Sequence, residues 1–128
     1  MPASVTPKSA WRAAGDLANP AAAVDGDLQT AAVGRPDYTG RFLTIDLGKP
    51  CLFQMVVLEH GAAEMDFARS VEAAVSTDGR SFQPVYVGIG TRRVTILLLP
   101  SPTLARHLRV RAVRAADRPW SLAEIYVQ

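Results

Sequence analysis

A chain of 128 residues has single-domain length and can bury a core without disulfides or metal as obligatory staples. Fourteen Lys and Arg against twelve Asp and Glu leave a formal net charge of +2 with no basic tract, so a nucleic-acid groove is not indicated. Its single cysteine, Cys51, excludes an intrachain disulfide and a cysteine-rich metal site, and reads as a small buried side chain.

Residues 1–8 contain no apolar stretch of the secretory type and are expected to form a flexible start. Val94 to Pro100, the longest apolar run, is far too short to span a bilayer, so the expectation is a soluble module, one that a longer secreted or membrane protein would carry. The basic residues are nearly all arginine, Lys8 and Lys49 excepted, and alanine abounds, which points to a GC-rich bacterial coding sequence.

A short strand is expected around Ser9 to Ala13, with Trp11 as packing, followed by an ordered loop rich in Ala, Pro, Asn and Asp. From residue 41 a period of two dominates. Phe42 to Leu47 places Leu43, Ile45 and Leu47 on one face, and Gly48-Lys49-Pro50 is expected to end it. Leu52 to His60 follows. Arg69 to Thr77 leads into Asp78-Gly79, residues that tolerate the positive φ of a hairpin turn, and Phe82 to Val87 returns. Arg92 to Leu99 is predicted to close at Pro100 and Pro102, which cannot donate to a ladder. Ala105 to Val113 turns Leu108, Val110 and Ala112 inward, and Leu122 to Val127 is the last strand. Some seven strands without crossover helices imply an all-β sandwich of two packed antiparallel sheets.

Asp25-Gly26-Asp27 with Thr30 packs two carboxylates, a glycine and a hydroxyl into one loop, a composition suited both to a hard cation and to a plain solvated Asp-Gly turn. Five blocks carry a resemblance that weighs between these. Ala23 to Asp27 with Thr30, Phe42-Leu43-Thr44-Ile45-Asp46-Leu47-Gly48-Lys49-Pro50, Val75-Ser76-Thr77-Asp78-Gly79-Arg80-Ser81-Phe82, Ala105 to Arg111, and Trp120-Ser121-Leu122-Ala123-Glu124-Ile125-Tyr126-Val127 resemble, in order, the discoidin family. That family includes the coagulation factor V/VIII type C domains and the family 32 carbohydrate-binding modules. The resemblance covers about residues 8–128 and implies a galactose-binding-like jelly roll of about eight strands with structural Ca2+. Carried over, the ligands are the carbonyls of Ala22, Asp27 and Ala123, the side chains of Asp25 and Glu124, and the hydroxyl and carbonyl of Thr30, a clasp between an early loop and the last strand. One departure is Ala32, where the family usually has tryptophan.

A sugar site needs an aromatic face and polar groups for its hydroxyls, and loop candidates are Tyr38 with Arg35 and Asp37, Phe67 with Glu64, Asp66 and Arg69, and Trp120 with Arg118 and Asp117. Trp120 reads first as a packed anchor before the last strand. His60, at a strand end, either meets a ligand hydroxyl or is a satisfied structural histidine; His107 reads as structural. Arg106, Arg109, Arg111 and Arg114 either face solvent or make an anion-binding strip.

No Gly-x-Ser-x-Gly elbow, phosphate loop or His-Glu-x-x-His motif occurs, so an enzyme is not expected. The resemblance implies a glycan-binding module attached to a larger cell-envelope or secreted glycan-active protein, hence an extracellular, cell-surface or periplasmic location. A protein-scaffolding module of the same fold is the alternative. Membrane attachment would use Met65 and Phe67, but Glu64 and Asp66 oppose an anionic surface.

Overall fold

Alternating apolar and polar residues form strands wherever one face can be buried, and a computed structural model, which describes residues 4–128, contains eight of them. They are β1 (Arg12–Gly15), β2 (Ala32–Gly34), β3 (Phe42–Glu59), β4 (Ser70–Ser76), β5 (Gln83–Ile89), β6 (Val94–Arg114), β7 (Trp120–Leu122) and β8 (Glu124–Val127). Two short 3₁₀ helices, Lys8–Ala10 and Pro20–Val24, precede β1 and β2. Among the described residues no helix is long and apolar enough to cross a membrane.

The two long strands pass through both layers of the sandwich. The first part of β3 pairs with β1 and with late β6, Ile45 facing Leu108, and β4 and β5 continue that sheet. Its last part pairs with β8 and early β6, Leu58 facing Ile125 and Thr95. Every pairing is antiparallel, and β2 with β7 makes a separate two-stranded sheet. Leu43, Ile45, Leu47, Val110 and Leu108 from one layer and Val56, Leu58, Leu97 and Ile125 from the other are all at most 1% exposed, each large side chain contributing about 2 kcal/mol by leaving water.

Three expectations are corrected. Gly48-Lys49-Pro50 does not end a strand: β3 runs on, with an irregular register between Asp46 and Cys51 and Gly48 at φ +88° taking the bend that L-residues resist. Pro100 and Pro102 likewise lie inside β6. A second register shift, between Phe53 and Met55, puts both prolines where the ladder is interrupted and no N–H is required. Finally, residues 1–3 of the supposed flexible start lie outside the described residues, and from Thr6 onward the chain is tied down. The Thr6 hydroxyl donates to the Leu47 carbonyl at 2.6 Å, Trp11 Nε1 donates to the Thr6 carbonyl at 3.2 Å, and Ser9–Ala10 belong to a 3₁₀ turn rather than to a strand.

Trp11 is buried, Cys51 is fully buried, and the β4–β5 hairpin forms where Asp78-Gly79 placed it. The Asp78 carboxylate accepts from the Ser81 and Arg80 N–H groups at 2.9 and 2.8 Å, which lowers its pKa to about 2, while Gly79 adopts φ +78°. Ala32 is fully buried in β2 opposite Leu122, so the departure at this position keeps an apolar core role.

Candidate functional site

Two neighbouring features gather the predicted residues, and the first is the clasp. In the loop after Pro20–Val24, Asp25 accepts from the Asp27 N–H at 3.0 Å and from the Thr30 hydroxyl at 2.5 Å, and these bonds, Thr30 first, hold its carboxyl below the usual range. The Asp27 carbonyl lies 3.1 Å from the Thr30 hydroxyl. Glu124 comes from β8 and is 1% exposed; its Oε1 accepts from the Gly26 N–H at 3.0 Å. The helix carrying Ala22 packs on β8 beside buried Ala123. Asp25, Asp27 and Thr30 share one loop that meets Glu124 through the Gly26 N–H, an oxygen-only set with two carboxylates whose chemistry fits calcium, although among the described residues no three acid, histidine or cysteine side chains converge as a metal cluster.

One member escaped the sequence reading. Lys8 Nζ donates to Glu124 Oε2 at 2.5 Å and stands 3.7 Å from the Tyr126 ring centroid. Nothing local in the sequence signals a contact spanning 116 positions.

The second feature is the cluster of loops 61–69, 90–93 and 115–119. Main-chain bonds knit them: Arg93 N–H to the Glu64 carbonyl at 2.8 Å, Gly90 N–H to Arg69 at 3.0 Å, Arg69 N–H to Arg114 at 2.9 Å and Ser121 N–H to Asp66 at 3.0 Å. Three residues considered as ligand contacts prove to be the inside of this cluster, Trp120 as the packed anchor and His60 as the satisfied structural histidine of the other reading. Tyr38 and Trp120 are 1% and 0% exposed, stacked on each other with centroids 5.9 Å apart, and offer no face to a sugar. His60, 1% exposed, is enclosed between the Ser121 carbonyl and the Thr95 hydroxyl, both at 2.8 Å. Because a carbonyl only accepts, Nδ1 carries the proton and Nε2 accepts from Thr95.

Burial pushes the His60 pKa below 6.5. The unfolded chain therefore binds a proton near pH 6.5 that the folded chain refuses, so this contribution to stability is complete above 6.5 and declines as pH falls below it. Melting measured from pH 8 to pH 5 is expected to show a loss of up to about 1.4 kcal/mol per pH unit, and His60→Gln to flatten that slope. A slope unchanged in the variant would assign the effect elsewhere.

Glu64, Phe67, Arg69 and Arg118 do lie at the surface. Glu64 is held by Arg92 at 2.6 Å and Arg93 at 3.8 Å. Asp66, 7% exposed, takes Arg118 at 3.1 Å and the Ser121 hydroxyl at 2.8 Å, so Arg118 closes an ion pair instead of pointing at a ligand. Phe67, half-buried, tilts against His60 with centroids 6.2 Å apart and lines an open depression of about 430 Å³ with Arg69, Ser70, Ile89, Gly90 and Arg114. Gly90 is required there: a Cβ would stand 1.6 Å from the Ala68 carbonyl oxygen. The arginine strip does not exist, since Arg106 pairs with Asp46 at 2.9 Å and Arg109 and Arg111 reach Glu72 at 3.9 and 3.4 Å; only Arg114 remains, and it lines the depression. A second cleft, of about 410 Å³, holds Arg35 and Asp37 with Asp16 and Arg41.

The model of the F5/8 type C domain matches residues 4–125. No curated protein matches. Among solved structures, a family 32 carbohydrate-binding module of Clostridium perfringens in complex with GalNAc-β-1,3-galactose is similar with TM-score 0.83 at 20% identity, over 97% of this chain and 99% of that one. The family 32 module of a second C. perfringens protein, in complex with galactose, gives 0.80 at 19% identity over 97% of both chains. Chitosan-binding module 2 from a chitosanase/glucanase of Paenibacillus sp. IK-5, in complex with chitotriose, gives 0.75 at 25% identity over 96% and 97%.

Proposed function

Because the chain belongs to the F5/8 type C domain family, we propose that it is a non-catalytic carbohydrate-binding module that holds a larger glycan-active protein against a polysaccharide. The observation that carries this reading is an open depression lined by the half-buried Phe67 together with Arg69 and Arg114, which pairs an aromatic ring for a pyranose with donors for its oxygens. Sugar complexes of similarly folded modules support it. The depression is shallow, so affinity is modest and depends on few contacts. Titration calorimetry against a panel of cell-wall and host glycans is the test. Phe67→Ala is expected to weaken binding about tenfold, and silence across the whole panel would remove the proposal.

Calcium belongs to the same reading. It would be held by the carbonyls of Ala22, Asp27 and Ala123, the carboxylates of Asp25 and Glu124, and Thr30, and would tie the early loop to β8 as a structural ion. That arrangement suits a module working outside the cytoplasm, where calcium is plentiful and glycans are found.

Scaffolding is the second reading, and one feature favours it. Ile96 and Leu98 on β6 are 52% and 57% exposed beside Tyr126 on the outer face of the β8 layer, an apolar surface that another domain would cover. A stoichiometric partner lost on Ile96→Asp, with sugars unable to compete, would move the assignment there.

A further inference from the structure

We infer that the glycan this surface takes is an acidic one, bearing carboxylate or sulfate groups; the inference rests on the carbohydrate reading and names its substrate class. Two of the three acids of the loop cluster are engaged by protein partners. Glu64 is engaged by Arg92 and Arg93, and Asp66 by Arg118 and Ser121. A neutral sugar whose hydroxyls donate would therefore find no free carboxylate among the residues around Phe67, and the exposed Asp117 does not line the depression.

The cations are not spent. Arg69 and Arg114 are both exposed, both line the depression, and neither reaches an acid within ion-pair distance among the described residues. Every other arginine close to these loops that has an acid partner, namely Arg92, Arg93 and Arg118, is neutralised. The Arg69 N–H bond to the Arg114 carbonyl at 2.9 Å sets the two residues side by side at the start of β4 and the end of β6. Their backbone is therefore fixed by the sheet, and only side-chain freedom remains to be lost on binding.

Guanidinium presents planar, paired donors that match a carboxylate or sulfate. Phe67 and Ile89 supply the apolar floor beside them, and Gly90, pressed on the Ala68 carbonyl, leaves that floor low enough for a ring to lie on. An anionic sugar can thus stack and be clamped at once.

The test is titration of the whole chain with oligogalacturonate, with the same oligosaccharide as its methyl ester, with a sulfated galactan oligosaccharide and with the neutral galactan. Binding of either acidic ligand at least about tenfold tighter than its uncharged counterpart, weakening several-fold between 50 and 500 mM salt, is the expected result. Arg69→Gln and Arg114→Gln should each weaken binding of the acidic ligand about tenfold more than binding of its uncharged counterpart, with unchanged melting because both side chains are exposed. The two acidic arms tell carboxylate from sulfate. Equal binding of acid and neutral forms, insensitive to salt and to both substitutions, overturns the inference and leaves the carbohydrate reading standing; absence of binding to every glycan overturns both.

Discussion

Trp120→Ala is expected to destabilise the protein by about 4 kcal/mol and to erase glycan binding with it. The indole is fully buried, stacked at an interplanar angle of 19° on Tyr38, and its backbone pairs with Gly34 across the small β2–β7 sheet. Gly34 makes room for the stack, since a Cβ there would lie 3.2 Å from that of Tyr38 and 3.0 Å from Leu17. The Tyr38 hydroxyl accepts from the Ala116 N–H at 2.9 Å, so the same pair of rings fastens loop 35–41 to loop 115–119. Losing one ring frees both loops, and the Ser121 and Asp66 bonds that shape the Phe67 surface loosen with them. Trp120→Phe separates packing from polarity. Because Trp120 Nε1 has no hydrogen-bond partner among the described residues, phenylalanine forfeits area and no bond, and a cost of only about 1–2 kcal/mol is expected. Chemical denaturation measures both, and an equal loss in the two variants would show that the stack is not what anchors the loops.

Trp120 also marks the boundary of what the sequence can say. Strand faces were legible because alternation is a local property: Leu43, Ile45 and Leu47 alternate along one strand and all three are buried. The Asp78-Gly79 hairpin was legible for the same reason, as its capping bonds span no more than three residues. Whether an aromatic ring beside charged residues faces solvent or core is a tertiary matter. Tyr38 and Trp120, separated by 82 positions but stacked in space, present the same local pattern as half-exposed Phe67. Ion pairing is hidden in the same way. Arg106, Arg109 and Arg111 suit solvent or an anion-binding strip with Arg114 equally well in the sequence, and only the fold shows Asp46 and Glu72 on adjacent strands pairing with them. Strand ends misled for a different reason: Pro100 and Pro102 stop a regular ladder, but β6 tolerates them by shifting register against β3.

Lys8→Met is expected to lower the melting temperature by roughly 10 °C in the presence of chelator, about 3 kcal/mol for a domain of this size, and calcium is expected to restore most of it. Glu124 is buried, and its charge is met by Gly26 N–H on one oxygen and by Lys8 on the other. Taking away the ammonium leaves a desolvated carboxylate with only a neutral donor, the costly half of a broken ion pair. A divalent ion bound by Asp25, Thr30 and Glu124 would meet the same need, and ammonium and calcium would then compete for Glu124 Oε2. By linkage the substitution removes the competitor, and calcium should then bind the variant more tightly and raise its melting temperature further than that of the parent chain. Tyr126 gives the displaced ammonium somewhere to go, since Lys8 already lies 3.7 Å from its ring centroid, and the parent chain can therefore exchange one cation for the other without stranding a charge. Asp25→Ala supplies the control: it removes the calcium effect while the Lys8–Glu124 pair persists. Melting that ignores calcium in both the parent chain and Lys8→Met would make the clasp an ion pair alone, and equal calcium shifts in the two would show that Lys8 does not contend for the site.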